Sequence, residues 1–323
     1  MKAIMQDRFG GAEVLELRDV PDPVVGENDV LIEVRAAGCG PDVWHLMEGK
    51  PYLARLSPEV RKGMKTARGW DAAGRVDAVG SNVTEFRVGD EVMGFSRGSF
   101  AEFAVASADK LARKPANITF EQAAAVPVSG CTALQALRDH ADLQPGQSVL
   151  VIGAGGGVGT LTVQIAKAFG ARVTGVCSAS KADLVRSIGA DDVIDYTHED
   201  FTEGSRTWDV IVDTAGRRPL HELRHALTPT GTLVIVGGDG GGNWTGGFFR
   251  GILRGPLMSL LTRQHLRAFV AKEDREDLDA LRLMIEEGKV TPVVGRTFAL
   301  PEAADAVTHL EQGHATGKIV VTV

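Results

Sequence analysis

The stretch that decides the fold is a glycine-rich turn, Ile152-Gly153-Ala154-Gly155-Gly156-Gly157-Val158-Gly159. It lies between a β-branched run at 149–152 and an amphipathic stretch at 158–169, which predict a strand and a helix. The pyrophosphate of a dinucleotide must approach backbone N–H groups closely at the start of a helix, and glycine permits that approach. The strict G-x-G-x-x-G spacing is not met, but Ala-x-Gly-Gly-Val-Gly is. This context predicts a nucleotide site at Gly156, Gly157, Val158 and Gly159.

Predicted strands and helices alternate along the chain after residue 121. Short runs rich in β-branched residues are separated by stretches of helical periodicity, as in a parallel sheet with helices on both faces. The predicted strands are 149–152, 172–176, 192–196, 208–213 and 232–236, and the predicted helices are 158–169, 181–188, 220–227 and 274–287. We therefore predict a doubly wound α/β domain around the glycine-rich turn.

The chain before residue 121 has a different texture. The runs 30–35 and 73–79 partly alternate between apolar and polar residues, and Gly80-Ser81-Asn82 and Gly89-Asp90 mark turns. Short strands with such turn signals predict a small barrel or sandwich. The tail, 318–323, is a further predicted strand, and a terminal strand is usually paired into a sheet.

The end of the second strand of the α/β domain decides which nicotinamide cofactor is favoured. An NAD-binding domain carries Asp or Glu there, which binds the ribose 2′-OH. Here Cys177-Ser178-Ala179-Ser180-Lys181 offers two hydroxyls and a cation, and the nearest acid, Asp183, is expected to face solvent. Ser178 and Lys181 suit a 2′-phosphate, so they predict NADPH. The alternative for Ser178 and Ser180 is ordinary helix capping.

The composition narrows the function classes. The 323 residues include 35 Lys+Arg and 42 Asp+Glu, a net charge of −7 that disfavours a nucleic-acid partner. No apolar run is long enough to span a membrane, and the first residues lack the apolar core of a signal peptide. Cys39, Cys131 and Cys177 are too few and too scattered for a disulfide framework. We expect a cytoplasmic protein without stable membrane insertion.

Several motifs follow one another in a fixed order along the whole chain. They are Glu33-Val34-Arg35-Ala36-Ala37-Gly38, Trp44-His45-Leu46-Met47, Gly49-Lys50-Pro51-Tyr52-Leu53, Ala78-Val79-Gly80-Ser81-Asn82-Val83, Gly89-Asp90-Glu91-Val92, Pro127-Val128-Ser129-Gly130-Cys131-Thr132-Ala133 and Gly317-Lys318. With them the chain resembles the medium-chain dehydrogenase/reductase superfamily, in its zinc-independent quinone-oxidoreductase-like branch with the reticulon-interacting oxidoreductase relatives. The resemblance implies a GroES-like β-barrel domain made of residues 1–122 and 297–323 and an inserted Rossmann domain at 123–296. It also implies an active site in the cleft between these domains and a homodimer.

The resemblance further implies roles for single residues. Tyr52 would lie over the nicotinamide as a proton donor or an orienting group, and Trp44 and His45 would line the substrate site. Aromatic packing and a structural histidine are the respective alternatives. Besides the glycine-rich turn, Ser178 and Lys181, relatives place cofactor contacts at the positions of Thr132, Tyr196, Gly237, Gly238 and Lys318.

Zinc is not expected from the resemblance. Zinc-dependent members carry Gly-His-Glu where this chain has Gly69-Trp70-Asp71, and the sequence has no closely spaced cysteine quartet. Cys39 falls one residue before the ligand position and fits a small buried residue. The chain also departs from its relatives at Gly40-Pro41, where they usually carry Asn-Pro, with the Asn lining the nicotinamide pocket.

These features predict a zinc-independent, NADPH-dependent oxidoreductase that transfers hydride to a small electrophile, either a quinone or an α,β-unsaturated carbonyl. Such acceptors need only hydride and a proton. The alternatives are a metal-free alcohol or aldehyde dehydrogenase and a catalytically weak, cofactor-binding relative with a regulatory or RNA-binding role. The basic and apolar stretch 248–269 fits a lid over the substrate site, a membrane-surface helix or an ordinary buried helix.

Overall fold

A computed structural model describes residues 1–50, 52, 67–237, 263–313 and 315–323. The chain divides into two compact units. The first comprises Met1–Cys131, Glu273–Gly288 and Pro292–Val323, and the second comprises Thr132–Lys272 and Lys289–Thr291. The N-terminal and C-terminal parts of the chain thus share one unit.

The described strands and helices are numbered in chain order. The strands are β1 (Lys2–Met5), β2 (Glu16–Asp19), β3 (Asp29–Cys39), β4 (Asp71–Val79), β5 (Glu91–Phe95), β6 (Phe103–Ser107), β7 (Leu111–Arg113), β8 (Ser148–Ile152), β9 (Arg172–Cys177), β10 (Asp192–Asp195), β11 (Trp208–Asp213), β12 (Leu227–Ile235), β13 (His265–Ala268), β14 (Val294–Ala299) and β15 (Lys318–Thr322). The α-helices are α1 (Pro41–Glu48), α2 (Phe120–Ala124), α3 (Pro127–Gln135), α4 (Gly157–Ala168), α5 (Ala182–Ser187), α6 (Leu220–His225), α7 (Arg275–Glu286) and α8 (Ala303–Glu311).

The first unit is built on a sheet in the order β14-β15-β3-β4-β5-β7, with β6 also paired to β3. The long strand β3 organises it, because β15, β4 and β6 all pair antiparallel with β3. The C-terminal strand lies in register with Ala36–Cys39 of β3, which confirms that the tail is paired into a sheet. Apolar side chains of β3, including Val30, Ile32 and Val34, are buried in the cores on its faces.

The second unit is a parallel six-stranded sheet in the order β10-β9-β8-β11-β12-β13. Val149, Leu150, Val151 and Val210 are fully buried, as in strands covered by helices on both faces. The strand register aligns Val176, Ile152, Asp213 and Ile235 in one row, so the segments that follow them emerge at the same edge. Ligands of such sheets bind at the carboxyl ends of the strands. The predicted doubly wound fold is confirmed.

Two regions differ from the sequence predictions. Helix α7 was predicted within the inserted domain, but its contacts belong to the first unit: Asn117 Nδ2 donates to the Ile285 carbonyl at 2.8 Å, and Arg275 pairs with Glu85 at 3.0 Å. In the stretch 248–269, residues 265–268 form strand β13, with Leu266 in the core. The helix and lid interpretations are therefore wrong for these residues, because β12 provides a strand edge that local periodicity does not reveal. The part of the stretch up to residue 262 lies outside the described residues.

Candidate cofactor and substrate sites

The glycine-rich turn connects β8 to α4 by close backbone contacts. The N–H groups of Gly153 and Ala154 donate to the Val176 carbonyl at 3.1 and 3.0 Å, and Gly153 has a φ of +81°, which favours glycine. A Cβ added at Gly159 would lie 2.1 Å from the Gly153 carbonyl oxygen. Gly156 precedes α4 and provides no side-chain cap. The first N–H groups of α4, those of Gly157, Val158 and Gly159, have no acceptor within the helix, so they suit the pyrophosphate of a dinucleotide.

The segment after β9 brings two hydroxyls and an ammonium to this turn. The Oγ atoms of Ser178 and Ser180 are 3.0 Å apart, within hydrogen-bond distance. The stem of Lys181 packs on the turn, because a Cβ at Gly155 would lie 2.7 Å from Lys181 Cδ. Desolvation in this partly buried position lowers the pKa of Lys181. Ser178 makes no side-chain cap hydrogen bond, so the structure gives no support to the capping alternative.

Tyr196 lies beside the end of β9. Its N–H donates to the Cys177 carbonyl at 3.2 Å, and its side chain is 54% exposed. Three predicted cofactor residues, Ser178, Lys181 and Tyr196, are therefore gathered at one edge of the sheet. Asp183 is exposed to solvent and pairs with Arg186 of the same helix, as expected for an acid that faces away from the site.

Asp195 is an acid at this edge that is not among the predicted cofactor residues. It is in register with Cys177, one strand away from Ser178. Its carboxylate accepts hydrogen bonds from the Thr197 N–H at 3.0 Å and the Thr197 hydroxyl at 2.8 Å, and its other oxygen lies 2.9 Å from His198 Nδ1. These contacts, first of all the Thr197 N–H, lower the pKa of Asp195. The carboxylate of Asp195 is thus ionised, and Thr197 and His198 of the following loop already contact it. The sequence Asp195-Tyr196-Thr197 signals such a turn, because Asp often accepts from the N–H two residues later.

The remaining predicted cofactor positions of the second unit are Thr132, Gly237 and Gly238. Thr132 is buried inside α3, which begins at Pro127. Gly237 follows β12 and approaches the backbone closely, since a Cβ there would lie 2.6 Å from the Thr214 carbonyl oxygen. Gly238 lies outside the described residues. A direct cofactor contact at these three positions stays a prediction.

Lys318 lies in a buried charge cluster of the first unit. Its Nζ is 2.8 Å from Asp71 Oδ2 and 3.2 Å from Ser129 Oγ, and Asp71 Oδ1 accepts from the Val128 N–H at 2.8 Å. Burial alone would lower the pKa of Lys318, but the Asp71 and Asp42 carboxylates outweigh it and raise the pKa. Burial raises the pKa of both carboxyls, and Lys318 opposes that shift. The ammonium is thus already bound inside the protein, and a cofactor contact from Lys318 stays a prediction.

Gly40 lies against the same cluster. A Cβ at this position would lie 2.4 Å from Asp42 Oδ1 and 3.1 Å from Lys318 Nζ. The Asn that relatives usually carry here would therefore displace the Asp42 carboxylate. The absence of a side chain at position 40 leaves room for a charged group two residues later.

The predicted substrate residues lie in and next to α1. Trp44 packs against the core of the first unit and stacks with His45, with ring centroids 5.0 Å apart. Tyr52 is partly buried. The roles implied by the resemblance, substrate contact for Trp44 and His45 and a proton-donating or orienting role for Tyr52, stay predictions.

The positions where zinc-dependent relatives carry ligands are held by other contacts. Burial raises the pKa of the Cys39 thiol to about 12, which fits the small buried residue predicted there. Trp70 Nε1 donates to Glu273 Oε1 at 2.6 Å, and Asp71 is paired with Lys318. Within the described ranges, no group of three or more His, Cys, Asp or Glu side chains is arranged to hold a metal ion. No helix in the described part of the chain is long and apolar enough to cross a membrane.

The fold and the turn define a dinucleotide-binding α/β protein with a second, β-rich unit. Residues 26–116 match the model of the alcohol dehydrogenase GroES-like domain, and residues 188–321 match that of a zinc-binding dehydrogenase. The quinone oxidoreductase of Pseudomonas aeruginosa is 34% identical, with 99% of each chain covered. The chloroplastic NADPH-dependent alkenal/one oxidoreductase of Arabidopsis thaliana is 35% identical, covering 99% of this chain and 79% of that protein. Escherichia coli quinone oxidoreductase complexed with NADPH has a TM-score of 0.84 and 27% identity, with both chains fully covered at 100%.

The chain belongs to the medium-chain dehydrogenase/reductase superfamily, in its quinone-oxidoreductase branch.

Proposed function

We propose that the protein is an NADPH-dependent oxidoreductase that transfers hydride to a quinone or an α,β-unsaturated carbonyl. The observation that carries this proposal is the edge formed by Ser178, Ser180 and Lys181 against Gly155. A 2′-phosphate needs hydroxyl and ammonium donors, whereas a 2′-OH needs a carboxylate acceptor. Related proteins named quinone oxidoreductase and alkenal/one oxidoreductase, one of them complexed with NADPH, support the same activity.

The chain's own residues bind and orient the reactants. The N–H groups at the start of α4 would hold the pyrophosphate, and Ser178, Ser180 and Lys181 would hold the 2′-phosphate. NADPH, when bound, would supply the hydride for the electron-poor carbon of the acceptor. A proton from solvent or from Tyr52 then completes the reduced product. Quinones and enones fit this set because their reduction does not require a Lewis acid.

We also propose that the enzyme works without zinc. The support is chemical: Cys39 lies one residue before the position of the zinc-ligating cysteine and is buried in the core of the first unit. Trp70 has no ligating atom, and Asp71 is held by Lys318. Activity should survive dialysis against a strong chelator, and elemental analysis should find less than stoichiometric zinc. One firmly bound zinc per active chain would contradict the proposal.

Steady-state oxidation of NADPH and NADH tests the proposed activity. The acceptors are a naphthoquinone, an alkenal and the saturated aldehyde of the same length, which is the matched control for the activated double bond. We expect turnover with NADPH and either the quinone or the alkenal, and much slower turnover with the saturated aldehyde. Turnover of the saturated aldehyde alone would favour the metal-free aldehyde reductase, and a preference for NADH would contradict the cofactor assignment.

A homodimer and a cytoplasmic location are further parts of the proposal. Among the described strands β13 pairs with β12 alone, so its other edge offers backbone groups for pairing. Light scattering after size-exclusion chromatography tests the dimer, since a mass near 34.3 kDa would show a monomer. The location requires imaging of the tagged protein, because relatives include chloroplastic proteins.

A further inference from the structure

Arg68 is a buried cation in the first unit, next to Gly69-Trp70. Its side chain is 5% exposed, and Nε and Nη2 are shielded from solvent without a hydrogen-bond acceptor. Burial alone lowers the pKa of the Arg68 guanidinium to about 10. No carboxylate in the described ranges forms an ion pair with it. The positive charge therefore has no counter-charge in the described part of the protein.

The backbone holds Arg68 firmly in this place. Its N–H donates to the Ile4 carbonyl at 3.0 Å, and its carbonyl accepts from the Phe100 N–H at 2.6 Å. Ile4 and Phe100 are themselves joined by a hydrogen bond of 2.8 Å. Gly69 follows with a φ of +93°, which few residues other than glycine adopt. Moving the guanidinium into solvent would require the side chain to leave a site that three backbone segments define.

A second polar group without a partner lies on the adjoining segment. Ser99 is fully buried, and its Oγ makes no hydrogen bond. The Ser99 N–H contacts the Gly69 carbonyl at 3.4 Å, and Ser99 Oγ lies 2.3 Å from the position of a Cβ at Gly69. Arg68 and Ser99 thus lie on paired segments, and each carries a buried polar group without a hydrogen-bond partner.

Lys318, another buried cation of the first unit, has carboxylate partners. Its ammonium is paired with Asp71 and receives further support from Asp42. A buried charge without a partner strongly destabilises a fold, so a missing counter-charge points to a ligand. The planar guanidinium presents parallel N–H groups that match the two oxygens of a carboxylate or phosphate.

We propose that Arg68, assisted by Ser99, binds a small oxyanion, either a carboxylate or a phosphate group. The site belongs to the first unit, whereas the phosphate-binding turn at 153–159 belongs to the second. The proposal rests on contacts within the first unit alone and does not depend on the proposed function.

Thermal unfolding of the cofactor-free full chain tests this proposal. Acetate, phosphate and chloride are compared at constant ionic strength, so that general screening stays the same. Above the dissociation constant, each tenfold increase of acetate or phosphate should raise the Tm by about 2–4 °C, and chloride should have less effect. A response to acetate alone or to phosphate alone would identify the source of the oxyanion. A response to neither would overturn the proposal.

Arg68→Met provides the decisive variant and Arg87→Met its control. Arg87 lies in the same unit with its side chain 87% exposed. Arg68→Met should lose the anion-dependent rise in Tm and be at least as stable as the unmodified protein in anion-free buffer, while Arg87→Met should keep the rise. An undiminished rise in Arg68→Met would show a general salt effect. A lower Tm of Arg68→Met in anion-free buffer would show a counter-charge within the chain. Either result would overturn the proposal.

Two further measurements keep the test independent of folding and of the cofactor. If Arg68→Met does not fold, Arg68→Lys retains the charge without the fork, and an undiminished anion response in that variant would overturn the proposal. The NADPH dissociation constant of Arg68→Met should stay within about twofold of the original. A large loss of NADPH affinity would place Arg68 in the cofactor site and would also overturn the proposal.

Discussion

Lys181 offers the sharpest test of the cofactor assignment, because the structure separates its two contributions. Its aliphatic stem packs on Gly155, and the proposed function assigns its ammonium to the 2′-phosphate. Lys181→Met keeps most of the stem and removes the charge, whereas Lys181→Ala removes both. The pair of variants therefore distinguishes charge recognition from support of the glycine-rich turn.

The expected magnitude follows from the kind of contact that is lost. A hydrogen bond to a charged group contributes about 1.5–3 kcal/mol. At about 1.4 kcal/mol per factor of ten, Lys181→Met should weaken NADPH binding by roughly 10-fold to 150-fold. NADH lacks the 2′-phosphate, so its affinity should stay nearly constant in Lys181→Met. Lys181→Ala should weaken both cofactors, because it also uncovers the turn.

Isothermal titration or quenching of protein fluorescence measures both cofactors with each variant. Raising the salt concentration should narrow the preference for NADPH in the unmodified protein and have little effect in Lys181→Met. Equal affinities of the unmodified protein for NADPH and NADH would refute the assignment. An equal loss of both affinities in Lys181→Met would show that the ammonium does not read the 2′-phosphate.

Further substitutions test the turn, the buried ion pair and a buried acid. Gly156→Ala should fold normally, since its Cβ meets the Gly153 carbonyl oxygen at an ordinary 3.5 Å, but should weaken NADPH binding, whereas Gly159→Ala should also lower the Tm. Lys318→Met should destabilise the protein by about 3–5 kcal/mol in urea unfolding, because it leaves a buried carboxylate unpaired, and the loss should shrink when Asp71→Asn is added. Burial raises the pKa of Asp213, outweighing the N–H groups of Ala215 and Gly216. Folding therefore favours the protonated form of Asp213. The stabilisation that this proton contributes is present below the unfolded pKa, near 3.8, and is lost as the pH rises through the pKa of the folded state. Asp213→Asn should therefore gain stability relative to the original as the pH rises above about 4, and a stability difference that stays constant with rising pH would contradict this.

Most of the second unit could be predicted from the sequence because its signals are local. The strand at Trp208–Asp213 was predicted with its observed bounds, and the helix after the glycine-rich turn begins within a residue of its predicted start. Buried parallel strands consist of continuous β-branched runs, which stand out between helices. The gathering of Ser178, Lys181 and Tyr196 at one edge then follows, because parallel strands end on the same side.

The first unit escaped prediction where its contacts join distant parts of the chain. Neither Asp71 nor Lys318 has a neighbour in sequence that indicates their pairing, which depends on β15 lying beside β3. The absence of a partner for Arg68 among the described residues is likewise visible only in the folded structure. Strand β13 was missed because His265 and Arg267 face solvent, which makes a short edge strand resemble a basic helix.

Gly40 and Asp42 have to be interpreted together as one departure from the relatives. An Asn side chain at position 40 would occupy the place of the Asp42 carboxylate, which lies 2.4 Å from the Cβ position. This chain has no side chain at position 40 and a carboxylate at position 42; burial raises the pKa of that carboxylate, and Lys318 opposes the rise. Restoring Asn at position 40 alone would push this carboxylate from its site without removing its charge. Any change in substrate preference after that restoration must be separated from the effect of losing the Asp42–Lys318 interaction. A variant at position 42 therefore has to be measured beside the variant at position 40.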